Sequence, residues 1–464
     1  MAFRSDARYR APRRGVMLGA VGLLLVLAPA ALANTYVANK LNDHAPNGCT
    51  HSDCTLREAV TKANNHPGLD TVALRGGKLY NLGLDNLAGE EDANATGDLD
   101  ALGSLTFKSS SKKRATVDAN GIDRVFQVGP SAPVSATFRR LVIRGGRTAA
   151  SADDHGGGID AESGGTLKII RSKVVGNTAA TEGGGIAATQ GTLKVIRSVI
   201  ARNLAADGNA GGIEGEPGNP PYELISIARS RIVGNHATDG VGGVYSYNHA
   251  TIRKSTIANN HADTGDGGGL YNGQGTLRVT SSTVSGNTAG GSGGGVANLE
   301  TATFVNVTVT KNHAGAGGGG IVSDGGTTTL NAGTIARNTA GTNGGGIDEQ
   351  SGVFTVRNSL IALNSKLTGF GPDCRENNAG GIVSAGHNLI GESADCAAVF
   401  GSATHDRIDV NPRIGQLVDN GGPTKTIALK RHSPAVNHAG PDAPSRDQRG
   451  VKRHNPDMGA FERR

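Results

Sequence analysis

Four cations recur at one place in a repeat: Arg171, Arg197, Arg229 and Lys254 each stand six residues before an asparagine. Like charges at ~5 Å spacing on neighbouring strands repel unless solvent or anions separate them. The pattern therefore points to a groove for an acidic polysaccharide or lipopolysaccharide, or to a solvated corner with splayed side chains. Tyr245, Tyr247 and Tyr271 follow glycine groups in adjacent copies, where aromatic faces can stack on sugar rings or pack over a wider coil. His236, His261 and His313 recur in "NHA". Two imidazoles from adjacent copies could share a metal, but the column offers no third ligand, so neither a metal site nor a cofactor is expected.

Cleaving a polysaccharide needs clustered carboxylates, or acidic calcium ligands with a base. Asp153, Asp154 and His155 sit in a single loop, "DDHGGG". Asp160 and Glu162, and again Asp348 and Glu349, follow glycine groups, but intervening copies carry Ala187 and Ala188 or Tyr245 and Ser246. No acidic column is sustained, and no catalytic residue is assigned.

The elements that must position these side chains repeat. Ile159, Ile186, Ile213, Val244, Leu270, Val296, Ile321 and Ile347 each follow a glycine group, at steps of 27, 27, 31, 26, 26, 25 and 26. Asn177, Asn203, Asn235, Asn260, Asn287, Asn312, Asn338 and Asn364 close the copies. Between them apolar residues alternate, as in Leu167 and Ile169, Leu193 and Val195, Ile225 and Ile227, while the glycine and β-branched content disfavours helix. A 26-residue period of short strands predicts an all-β fold, a single-stranded right-handed parallel β-helix with an interior of stacked Ile, Val and Leu. The asparagines would form a side-chain ladder at one corner, and the glycines would supply positive φ and close approach.

The 464 residues include 72 glycines, no Trp and 3% aromatics, which argues against a core built on large rings. Residues 1–33 read as a signal peptide: five arginines, the apolar "VMLGAVGLLLVLA", then "APAALA" before cleavage after Ala33. The leader carries +4 of the formal +6, so the mature chain is not basic enough to indicate nucleic acid. Four cysteines form two close pairs, Cys49 with Cys54 and Cys374 with Cys396. Two local bridges are expected in an exported chain, although four cysteines allow three connectivities.

The ends differ from the repeat. "DCTLREAVTKAN" predicts a short N-terminal capping helix, with Thr55 and Glu58 at capping-box spacing and Leu56, Ala59, Val60 and Ala63 on one apolar face. The segments are a cap at 34–69, irregular first coils at 70–155, regular repeats at 156–366, and last coils with an extended tail lying along the last coil at 367–464.

"CTLREAVTKAN" at 54–64 resembles the CSLREA motif of bacterial exported proteins, with "GLDTV" at 68–72, "TGDLD" at 96–100 and "DRVFQV" at 123–128. "GHNLIGESADC", "LVDNGGPTKT", "SPAVNHAG", "DQRG" and "PDMGAFE" are similar to the closing segment of choice-of-anchor Q proteins. The "GGGI" and "IARN" pairs resemble repeats of chlamydial polymorphic outer-membrane proteins. The resemblance implies a right-handed β-helix at or beyond the cell surface. Arg463 and Arg464 follow "GAFE" without an apolar tail, so release or non-covalent retention is expected.

Together these features predict an exported, non-enzymatic, adhesin-like or glycan-contacting structural protein, peripheral at most to a membrane. The alternatives are a polysaccharide lyase or glycoside hydrolase acting on an acidic polysaccharide, and a scaffold without a ligand.

Overall fold

Alternating apolar residues on a fixed period bury their side chains only if successive coils stack with like residue over like. The computed structural model, which describes residues 32–85, 91–149, 155–216, 224–377, 381–401 and 403–464, has that form. Among the described residues the strands make three parallel sheets of 22, 13 and 8 strands and one antiparallel hairpin. The widest, here the first sheet, takes two strands or one long one from each regular coil.

Register is kept residue for residue. Leu167, Leu193, Ile225, Ala250 and Leu277 stack in one inward column of the first sheet. Val174, Ile200, Ile232, Ile257 and Val284 stack in the second sheet. All are buried. The molecule is the all-β parallel solenoid that the repeat predicts. Its first coils depart from the aliphatic interior, because Phe107 and Phe138 stack there and Phe126 meets both edge-on, with ring centroids 4.7 to 5.0 Å apart. No helix among the described residues is long and apolar enough to cross a membrane.

The asparagine ladder forms. Asn177 Nδ2 donates to Asn203 Oδ1 at 3.0 Å, and the same bond links each neighbour down to Asn364. Each acceptor oxygen also takes the backbone N–H of the preceding asparagine, so these buried amides are satisfied. The glycine groups do two jobs. Gly183 has φ +61°, whereas a Cβ on Gly184 would stand 2.4 Å from the carbonyl of Leu204 in the next coil.

Helix Leu56–Asn64 packs against the first strands, Thr35–Ala38, Asp70–Leu74 and Leu99–Ala101. Thr55 Oγ1 accepts from Glu58 N at 3.2 Å and Glu58 Oε2 accepts from Thr55 N at 2.8 Å, completing the capping box. Arg57 is buried and ties the "LREA" helix to the "TGDLD" backbone. Its guanidinium donates to the carbonyls of Thr96, Gly97 and Asp98 and to the carboxylate of Asp43. Both local disulfides are present, Cys49–Cys54 and Cys374–Cys396.

The tail differs from the expectation that it lies along the last coil. It reaches back across several coils on the outside of the second sheet, where Ala336, Leu360, Ala362 and Leu389 present an apolar surface to Ile427, Met458 and Phe461. Buried Gln448 bonds Thr283 and Thr308 of two successive coils. The apolar outer face of the late coils needs this cover, which a tail confined to one coil would not give.

Candidate functional site

The basic column sits on a corner that the backbone repeats in every coil. Arg171, Arg197, Arg229 and Lys254 have φ between +51° and +52°, and Ser281, Asn306, Ala332 and Asn358 continue the same left-handed position. The next residue holds the turn. Ser172 N donates to Ser198 Oγ, Ser198 N to Ser230 Oγ and Ser230 N to Ser255 Oγ, each at 3.1 Å. Ser198 Oγ in turn lies 2.9 Å from the carbonyls of Ile169 and Ile196. A serine row therefore fixes the backbone from which each cation projects.

The column is longer than the period suggests. Register places Arg140 over Arg171, because Val142 pairs with Lys173, and Arg140 has φ +56°. No asparagine marks its coil, because Gly146 occupies the asparagine's place there, its N–H donating to Asn177 Oδ1. The adjoining outward columns of the first sheet add Lys108, Arg139 and Arg253, and Lys168, Lys194 and Arg278. These two columns, from Thr106 to Thr355, contain no acidic residue. Arg139, Arg171, Arg197, Arg229 and Arg253 line a shallow cavity of about 500 Å³ whose floor includes Ile170, Ile196 and Ala228. Apolar floor and cationic rim suit a ligand with carboxylates on a carbon ring.

A second, polar cavity of about 580 Å³ lies round the corner, between the second sheet and the tail hairpin. Arg231, Lys311 and Lys425 line it, with Asp419 the one carboxylate. Arg229 faces the first cavity and Arg231, two residues on, the second. This cavity was not legible in the sequence, since only the tail's path creates it.

The three tyrosines come together. Tyr245 and Tyr271 pair in register with rings stacked at 5.2 Å and 16°, and all three surround Gly273. Burial pushes the Tyr245 hydroxyl up, helped by Tyr271 and Glu214, and burial likewise raises Tyr271. The rings are half-buried and packed on one another. They share the outward face of the first sheet with the basic columns, but Tyr245 and Arg253 are eight residues apart, up to about 26 Å along the strands. Tyrosines and corner cations are thus two separate features of one face.

Among the described acidic candidates, Asp160 and Glu162 lie seven coils from Asp348 and Glu349, and Glu162 accepts from Gln127 Nε2 at 2.6 Å. Asp153 and Asp154 lie outside the described residues, and His155 faces Glu182 at 3.2 Å. Asp348 is buried against Arg375 at 3.1 Å. The reading that no third ligand accompanies the histidines needs correction. Asp263 Oδ1 lies 2.9 Å from His236 Nε2 and 2.7 Å from His261 Nε2. Asp263 lies outside the histidine column, but strand alternation returns the side chain two residues on to the same face. The bond from His236, and the two nearby imidazoles, hold the Asp263 carboxyl below its usual range. His313 is two coils from His261, with Thr288 between them, and does not join the cluster.

No protein-family model and no curated protein matches the chain. Among solved structures it is similar to the pectate lyase Pel9A, at 16% sequence identity and a TM-score of 0.45, over 94% of this chain and 98% of that one.

Proposed function

We propose that this chain is an exported, non-enzymatic solenoid that binds an acidic polysaccharide along its basic corner. The observation that carries the reading is the row Arg140, Arg171, Arg197, Arg229 and Lys254, one cation per coil on a shared left-handed turn. None of the five has a carboxylate partner among the described residues. Five unmatched charges at ~4.8 Å spacing concentrate polyanions, and a polymer with regularly spaced carboxylates answers several at once. Left-handed backbone disfavours a long L side chain by about 1 kcal/mol relative to glycine, so holding arginine there in successive coils is not explained by conformation. Export is supported by the leader-like first 33 residues, the two disulfides and the resemblance to CSLREA and choice-of-anchor Q proteins.

The test incubates mature protein from Asn34 with acidic and neutral polysaccharides and follows co-elution and chain length by size exclusion. Co-elution with intact acidic chains, lost in the Arg197→Ser/Arg229→Ser variant, is the expected result. Shortened chains would make the protein a lyase or hydrolase instead. Equal retention by the variant would end the basic-corner reading.

A further inference from the structure

We propose that His236, His261 and Asp263, on the third sheet, bind a late first-row divalent cation of the Zn2+ class. The site is independent of the basic corner. Parallel register sets His236 directly opposite His261 in the neighbouring coil. Asp263 follows two residues later on the same outward face, its backbone N–H fixed to the carbonyl of Ala237 at 3.0 Å. The three ligand atoms lie within 4.8 Å of one another. Ligands held at ~2.0–2.1 Å from an ion and separated by ~90–110° stand about 2.9–3.4 Å apart. The observed 2.9 and 2.7 Å between carboxylate and imidazoles fall within a few tenths of an ångström of that spacing, and the two imidazole nitrogens lie within 4.8 Å of each other.

The donor set selects the ion. Two imidazoles and one carboxylate suit Zn2+, Ni2+ or Cu2+, whereas Ca2+ and Mg2+ require mainly oxygen. The side chains are 41%, 48% and 42% exposed, so the site has an entry path and open positions for water or for a donor from another molecule. Without the ion both Nε2 atoms meet the same Asp263 oxygen, which keeps the three groups converged. The combination also belongs to this chain's own sequence and not to its repeat. The equivalent of Asp263 is Ala180, Ala206, Thr238, Gly290, Gly315, Gly341 or Leu367 in the other copies, and only here do two histidines stand in adjacent coils beside it.

Untagged, chelator-stripped mature protein would be titrated with Zn2+ by calorimetry and with Co2+ by visible absorption. One equivalent of each should bind, Co2+ giving d–d bands of a nitrogen-ligated site. Asp263→Asn and His261→Ala should each weaken binding at least ~10-fold, while His313→Ala and a Ca2+ titration change nothing. All three positions are surface side chains, and unchanged melting of the metal-free variants would show that they fold. No binding by the wild type, or equal binding by Asp263→Asn and His261→Ala, would overturn the proposal.

Discussion

Asn364 donates its side-chain amide to Asp373 Oδ1 at 2.9 Å, so the asparagine ladder ends on a carboxylate in the place a further asparagine would take. Asp373 Oδ1 also accepts the Asn364 N–H at 3.0 Å, and its second oxygen accepts from Glu392 N at 2.7 Å. Burial outweighs these bonds and raises the carboxyl from 3.8 to about 6.

A carboxyl raised in the folded state favours folding when protonated. Its contribution is fully present below pH ~4 and is lost as pH rises through about 6. Two pH units correspond to about 3 kcal/mol as an upper figure. Asp373→Asn should therefore flatten the change in melting midpoint between pH 4 and pH 7 relative to wild type, and an unchanged slope would show that Asp373 does not set it.

Asn260 sits in mid-ladder, accepting from Asn235 N and Nδ2 and donating to Asn287 Oδ1 and the carbonyl of Ile232. Alanine there strands two donors of Asn235 in a dry corner. Asn260→Ala should lower stability by about 2–4 kcal/mol, read from denaturant unfolding.

Arg57 pairs with Asp43 at 2.9 Å, both side chains being almost wholly buried. Methionine fills the space but leaves an unpaired buried carboxylate. Arg57→Met should cost about 3–5 kcal/mol and raise amide exchange through Leu56–Asn64 before the central coils respond.

The basic corner predicts an opposite sign. Neighbouring cations ~5 Å apart in water repel by a few tenths of a kcal/mol per pair after screening. Arg197→Ser/Arg229→Ser should thus melt slightly higher than wild type at low salt. The gain should vanish near 1 M NaCl, where the screening length is ~3 Å. No salt-dependent difference would mean that the charges do not feel one another.

The period, the inward columns, the ladder and the N-terminal helix were legible because each is local or strictly repeated. Leu167 over Leu193 follows from counting alone. Arg140 was hidden because Gly146 replaced the marker residue in its coil, although Gly146 still bonds Asn177. Asp263 was hidden because it sits two residues away from the histidine column along the strand, and Lys425 because it reaches Thr283 across 142 residues of chain. Repetition reveals what stacks, but it is silent about where a non-repeating tail comes to rest.

The left-handed corner carries a further consequence. Arginine, lysine, serine, asparagine and alanine all occupy it at nearly the same φ, from +49° for Ser281 to +56° for Arg140. Arg171, Arg197, Arg229 and Lys254 stay accessible there, whereas Asn306, Ala332 and Asn358 are buried, and the serine row beside the cations supplies the hydrogen bonds that hold the bend. Along the cations the edge is a row of pegs on a rail, evenly pitched by the strands. Where the tail leaves it uncovered, its side chains can differ from coil to coil while the inward columns Leu167–Leu193–Ile225 and Ile169–Val195–Ile227 stay as they are.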